Sequence, residues 1–337
     1  MSDAREETDA DMAGEEVSPH LDGYLMLGKI GEGTFSKVYR ATDSLTSTMV
    51  AVKELKLEMY GGISQLGSEE LPFYASREIR ILQKLTHPNV ISLKEVLTPS
   101  NKNIGGIYMV FEYMDSDLSK LAKEEITAPD IKNYMKQLLA GLEYCHENQV
   151  LHRDIKGANI LVCENGNLKL ADFGLACCLK EDDVDLKDVF PAVSDSTFPG
   201  DRKLQDMMNE LTSEVISFLY KPPEILTGSR QYGPEVDVWS VGIVFAQLLN
   251  KGVHILCGVD RDDQLKKIYE LCGPPSNEEN LPGFSEKVPS QPMKTCLRDK
   301  YPNFDRKALD LLARMLVIDP SERITATAAL AHPYFLD

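Results

Sequence analysis

The chain has 337 residues and a formal net charge of −17, long enough to bury a sizeable core in one large domain or two modest ones. Such acidity repels phosphate and argues against direct nucleic-acid or anionic-membrane binding. The seven cysteines are odd in number and form no C-x-x-C pair, which argues against a disulfide framework or a zinc site and for reduced thiols in a nuclear and/or cytoplasmic protein.

Residues 1–23 carry eight acidic side chains against the single Arg5 and few apolar ones. The expectation is a disordered acidic tail, because too little surface can be buried to offset the ordering entropy. Strand-like runs follow at 24–30, 36–41 and 49–55, around a glycine cluster. Residues 70–84 read as a helix with Ile79, Leu82 and Leu85 on one face, and 90–96 and 107–113 read as strands. After Met114 the pattern turns helical. In 128–147, Ile131, Met135, Leu138, Leu142 and Cys145 recur at helical spacing. Residues 236–249 are apolar almost all round, so that helix should be buried. Residues 304–316 and 326–331 also read as helices. The fold class is therefore α+β: a small sheet lobe with one main helix over 24–114, then a larger, mainly helical lobe over 115–337. A cleft between two such lobes is a common place for a ligand.

Four motifs carry chemistry. Gly31-Glu32-Gly33-Thr34-Phe35-Ser36 joins two predicted strands; glycines let backbone N–H groups approach phosphate, although alone such a turn is more often a plain hairpin. Val50-Ala51-Val52-Lys53 follows, at the spacing that a phosphate-gripping lysine keeps from a glycine loop whose next strand carries Val38. His152-Arg153-Asp154-Ile155-Lys156-Gly157-Ala158-Asn159 supplies a carboxylate to orient a hydroxyl, a lysine to neutralise a transferring phosphoryl and an asparagine to hold a metal. Asp172-Phe173-Gly174 follows a short apolar strand; a hard cation such as Mg²⁺ prefers its carboxylate oxygen.

In this order and spacing the motifs resemble the eukaryotic protein kinases from about Tyr24 to Phe335. The resemblance implies ATP and Mg²⁺, with Asp154, Lys156 and Asn159 catalytic and Asn159 and Asp172 on the metal. It implies that Lys53 pairs with Glu78, and that Ile30, Gly31, Glu32, Gly33, Val38, Ala51, Phe111, Glu112, Met114, Asp117 and Leu161 surround the nucleotide. Pro222-Pro223-Glu224 stands where the family has A-P-E, so Glu224 should pair with Arg323. Within the family, Pro72-Phe73-Tyr74-Ala75-Ser76-Arg77-Glu78-Ile79 is similar to the signature helix of cyclin-dependent kinases. This implies a cyclin-type regulatory subunit and protein serine/threonine substrates. Asp154-Ile155-Lys156-Gly157-Ala158-Asn159, Leu271-Cys272-Gly273 and Phe35 in place of an inhibitory tyrosine look like the transcription-elongation branch.

The sequence also departs from the pattern. The activation segment, 172–224, carries an acidic insertion over about 181–210 with nine acidic and three basic residues, read as a solvated surface insertion. Thr212 aligns with the activating phosphothreonine, and Arg77 and Arg153 match two arginines of its phosphate pocket. The third position is Cys177, so carboxylates of the insertion or Lys180 are expected to take over part of that pocket. Ser217, Leu219 and Lys221 replace a threonine, a tryptophan and an arginine near the acceptor. A preference for proline after the acceptor is expected, softened by lysine at 221. Insertion near Met59-Tyr60-Gly61-Gly62 and residues 251–258 match the family poorly; His254 reads as packed. A pseudokinase scaffold is the rival reading, opposed by the retention of Lys53, Asp154, Asn159 and Asp172. A mitogen-activated-type kinase is another, opposed by the absence of T-x-Y from 175–221.

Overall fold

The computed structural model describes residues 20–33, 36–56, 73–98, 106–124, 126–179, 217–229, 232–273 and 293–336. The chain divides into two compact units, residues up to 60 with Lys94–Tyr113, and Gly61–Leu93 with Met114 onward.

The first unit is built on a sheet of β1 (His20–Leu21), β2 (Tyr24–Glu32), β3 (Ser36–Asp43), β4 (Met49–Leu55), β5 (Leu93–Leu97) and β6 (Tyr108–Glu112), in the order β1-β2-β3-β4-β6-β5. Strand alternation sorts its side chains. Tyr39, Val52 and Val110 are mutually opposite, as are Ala41 and Val50; with Leu21, Tyr24 and Tyr108, most of this face forms the core. The other face carries Gly31 opposite Val38, Val38 opposite Lys53, Lys53 opposite Met109, and Ala51 opposite Phe111.

The expected acidic tail ends earlier than Tyr24. His20 pairs with Leu25 and Leu21 with Tyr24, and Leu21 is buried in the core. The cause is local: Asp22 and Gly23 have φ of 31° and 96°, the positive values a two-residue Asp-Gly hairpin turn requires. Residues 1–19 lie outside the described residues.

In the second unit, helix Ala128–Glu147 starts at a capping box between Thr127 and Asp130 and buries Ile131, Met135, Leu138, Leu142 and Cys145. Helix Glu235–Leu249 buries every residue from Val236 to Leu248, as its all-round apolar sequence predicts. Helices Arg261–Cys272 and Met293–Lys300 were not foreseen. The strand expected at 90–96 starts only at Leu93, because Val90 bridges to Leu170 and Ile91 donates to the Leu170 carbonyl. Helix Phe73–Lys84 packs with this unit, whereas the sequence groups it with the sheet. Its anchors are explicit. Arg77 Nη2 donates to the Gly174 carbonyl at 3.4 Å, and the Thr86 N–H just beyond the helix donates to the Tyr144 hydroxyl at 3.0 Å. Among the described residues no helix is long and apolar enough to cross a membrane.

Candidate active site

The 152–159 loop hangs from a buried carboxylate. Asp237, fully buried near the start of helix Glu235–Leu249, accepts from the backbone N–H of His152 at 2.9 Å and of Arg153 at 2.7 Å. His146 Nε2 lies 3.0 Å from the same carboxylate. Burial pushes the Asp237 carboxyl up, but the His146 contact and these amides outweigh it and hold it below its ordinary range. The anchoring sustains a strained backbone, since Arg153 has φ of 66°. His152 Nε2 sits 2.9 Å from the Ala171 carbonyl, and its ring meets Phe173 edge-on at 4.8 Å. The loop and the Asp-Phe-Gly segment are thereby tied together.

Within the loop, Asn159 Nδ2 donates to the Asp154 carbonyl and to Asp154 Oδ2, both at 2.9 Å. Lys156 Nζ lies 2.8 Å from the same carboxylate oxygen. Gly157 has to be glycine, because a Cβ there would come within 2.9 Å of the Ser119 Cβ and 3.0 Å of its backbone. Ser119 in turn donates to Asp117, whose carboxylate caps helix Leu118–Leu121 and lies 2.8 Å from Lys120 Nζ. Burial pushes Asp117 up, and the hydrogen bonds from Lys120 and Ser119 override it to leave the carboxyl lowered. Leu161 stands opposite Asp117 in a three-stranded sheet of Ser116–Asp117, Ile160–Val162 and Leu168–Leu170. Met114 is buried, with Cys163 Sγ 3.3 Å from its sulfur.

Asp172 follows directly. The Ala171 N–H donates to the Asn159 carbonyl at 2.9 Å, and Asp172 adopts φ of 61°, a left-handed conformation that a short acidic side chain tolerates. A Cβ placed on Gly174 would lie 3.4 Å from Asp172 Oδ1 and 3.6 Å from Glu78 Oε2, so both carboxylates face that glycine. Glu78 is buried. The second unit therefore brings Asp154, Lys156, Asn159, Asp172 and Glu78 into one neighbourhood. In the first unit, Lys53 shares a sheet face with Gly31, Val38, Ala51 and Phe111. Ile30 and Glu32 lie on β2, Gly33 follows it, and Glu112 ends β6.

The donor set suits magnesium and a triphosphate. The Asn159 amide nitrogen is taken up by Asp154, which leaves Oδ1 as the end offered to a hard cation beside the Asp172 carboxylate. Among the described residues no cluster of three or more His, Cys, Asp or Glu side chains could hold a metal. Mg²⁺ fits a site with few protein ligands, since it keeps waters and takes phosphate oxygens.

Thr212 lies outside the described residues, as do Lys180, the acidic insertion, and Thr34 and Phe35 of the glycine turn. The two pocket arginines are described. Arg153 Nε donates to the Leu175 carbonyl at 2.6 Å and Nη1 to the Tyr232 hydroxyl at 3.1 Å, while Arg77 holds the Gly174 carbonyl. Both converge on the stretch leading into Cys177, which pairs with Leu151. Glu224 and Arg323 form the expected pair, at 2.7 and 3.1 Å, and the guanidinium also lies 5.1 Å from the centroid of the Trp239 ring. His254 is packed, its ring edge-on to Tyr220 at 5.4 Å.

Sequence reading missed the supports of residues 219–220. Gln264 Nε2 donates to the Leu219 carbonyl at 3.3 Å, Ser240 Oγ to the Tyr220 carbonyl at 2.9 Å, and the Tyr220 hydroxyl to Gln247 at 3.1 Å. Lys221 is pushed down by burial, with Asp154 pulling it up and Lys156 pushing it down further. No short motif announces these residues, because their partners lie 20 to 45 positions away.

A carboxylate braced by a lysine and an asparagine, beside a second carboxylate suited to magnesium, defines a protein kinase domain. The chain belongs to the protein kinase family, whose domain model matches residues 24–335. Among curated proteins it is similar to cyclin-dependent kinase C-2 of Arabidopsis thaliana, 46% identical over 340 residues that cover 94% of this chain and 60% of that protein. It is likewise similar to cyclin-dependent kinase C-2 of Oryza sativa subsp. japonica, at 44% identity over 94% of this chain and 60% of the relative. Cyclin-dependent kinase C-3 of the same rice is 42% identical over 94% of this chain and 92% of its own length. The chain thus spans about three fifths of the two C-2 relatives and nearly all of the C-3 relative.

Proposed function

We propose that this chain is a cyclin-dependent-type protein serine/threonine kinase of the transcription-elongation branch, transferring the ATP γ-phosphoryl to a protein hydroxyl. The observation that carries this reading is the bracing of Asp154 by Asn159 Nδ2 and Lys156 Nζ. A carboxylate fixed from two sides orients one hydroxyl with little reorganisation, and positioning of that kind is most of what phosphoryl transfer asks of a protein. Asp154 accepts the hydroxyl hydrogen. Lys156, already beside it, spreads positive charge over the phosphoryl oxygens as the bond to the leaving diphosphate lengthens. Asn159 Oδ1 and Asp172 would hold magnesium, which supplies charge neutralisation between the β- and γ-phosphates when bound. Lys53 would grip the α- and β-phosphates.

The names of the relatives and the helix signature Pro72–Ile79 support a cyclin as regulatory partner. On the same reading the protein works in the nucleus and/or cytoplasm, Thr212 is its activating phosphosite with Arg77 and Arg153 as its cationic pocket, and proline is favoured after the acceptor. The test is transfer of radiolabelled phosphate from MgATP to an array of serine and threonine peptides, with Asp172→Asn as the control. Labelling of acceptors, abolished by Asp172→Asn, is expected. Equal labelling by wild type and control would overturn the reading, and labelling indifferent to the following proline would overturn the specificity.

A further inference from the structure

The turn after β2 is held by a three-residue charge clamp that the motifs do not include. Lys56, one residue beyond β4, reaches back across the sheet edge. Its Nζ lies 2.6 Å from Glu32 Oε1 and donates to the Gly33 carbonyl at 2.9 Å. Lys29 Nζ lies 2.7 Å from the other oxygen, Glu32 Oε2. The Glu32 carboxylate is therefore bridged by two ammonium groups from different strands. The register explains the reach: Ser36 pairs with Leu55 and Glu32 with Lys37, which brings the end of β4 alongside the turn end of the β2–β3 hairpin. The Gly33 N–H donates to the Ser36 carbonyl at 2.8 Å, closing the turn. Hydrogen bonds from Lys29 and Lys56 bring the Glu32 carboxyl down to about 2, so it stays a carboxylate at neutral pH and its exposed contacts respond to salt.

A glycine turn without such a hold samples many backbone states, and nucleotide binding then has to meet the cost of ordering it. Fixing the Gly33 carbonyl fixes the plane of its peptide group. The polar contacts of Lys56, to Glu32 and to the Gly33 carbonyl, lie at the end of β2, so its effect on the nucleotide is exerted there. We propose that Lys56 is a positioning residue for the nucleotide site, clamping Glu32 and the Gly33 carbonyl so that this end of β2 is held in place before ATP arrives. This rests on the nucleotide reading above and deepens it.

The experiment measures fluorescent MgATP-analogue binding and steady-state kinetics on the full chain, with its cyclin-type partner in the kinetic arm. Lys56→Met should weaken nucleotide binding and raise KM for ATP by about three- to tenfold while kcat stays within about twofold, since an interaction equal in ground and transition states moves KM alone. Lys56→Arg, which keeps the charge and can donate to both acceptors, should restore wild-type values. Raising the salt should weaken wild-type binding and narrow its gap from Lys56→Met, because an exposed ion pair is screened. If wild type binds nucleotide and Lys56→Met matches it at low and high salt, the clamp is refuted while the nucleotide reading stands. If wild type binds no nucleotide, both fall. A loss that Lys56→Arg fails to rescue also refutes the clamp, because it assigns the effect to packing of the lysine stem.

Discussion

Lys156 and Asn159 hold Asp154 at 2.8 and 2.9 Å, but the residue on which the loop depends is Asp237. Three donors converge on its buried carboxylate, two of them backbone amides of His152 and Arg153. Its carboxyl lies below the ordinary value of 3.8, so the sign follows from linkage. Its stabilisation is whole above that ordinary value and is lost as pH falls through the lower folded value. Asp237→Asn removes a charge that its donors require. It should cost roughly 3 kcal/mol or more in denaturant unfolding, and should flatten the stability lost by wild type in that acid window. A variant as stable as wild type, with the same acid profile, would show that the carboxylate does not anchor the loop. Glu224 and Arg323 obey the same logic: Arg323→Met leaves Glu224 facing a hydrophobic replacement and should destabilise strongly.

At the scale of elements, the segment after helix Phe73–Lys84 is bolted to helix Ala128–Glu147. Asn89 Nδ2 donates to Gln137 at 3.0 Å and to the Leu168 carbonyl at 2.9 Å, and Gln137 accepts from the Leu168 N–H and donates to the Gly166 carbonyl. Gly141 lets the pieces approach, since a Cβ there would lie 2.6 Å from the Asn89 carbonyl oxygen. Asn89→Ala strands the Gln137 and Leu168 partners and should cost about 1–3 kcal/mol, seen as a lower Tm. Thr127→Ala, which removes only the helix cap, should cost about 1 kcal/mol. Equal effects would place Asn89 among ordinary surface contacts.

Much of this level was legible in the sequence. β-branched and apolar content located β4 at its observed ends, and helical spacing did the same for Ala128–Glu147. Other elements were missed for physical reasons. The Asp22-Gly23 hairpin was hidden inside an acidic run, although its dipeptide is a turn signal. Helix Arg261–Cys272 carries the Asp260 cap and buried Leu265, Ile268 and Leu271 that would have announced it. The Asn89–Gln137 brace and the Lys56 clamp join residues tens of positions apart, and no local pattern encodes such contacts. The candidate catalytic residues, by contrast, sit in short contiguous motifs, so Asp154, Asn159 and Asp172 could be named from the sequence as candidates.

At the scale of the whole molecule, the proposed cyclin acts on the Phe73–Lys84 helix, which carries Glu78. A partner that binds the competent arrangement better shifts the population toward it. The isolated chain should therefore show phosphotransfer lower by about tenfold or more than the cyclin-bound chain, checked by titrating partner into the assay; full activity without a partner would remove cyclin control from the account. The central claim is that Asp154 orients the acceptor hydroxyl while other residues hold the nucleotide. Its most direct test compares wild type and Asp154→Asn in the partner-bound state, measuring peptide phosphorylation and nucleotide-analogue affinity together. The account predicts that Asp154→Asn binds MgATP as wild type does and loses roughly 10²–10⁴ in kcat. Retention of wild-type turnover by Asp154→Asn would contradict it.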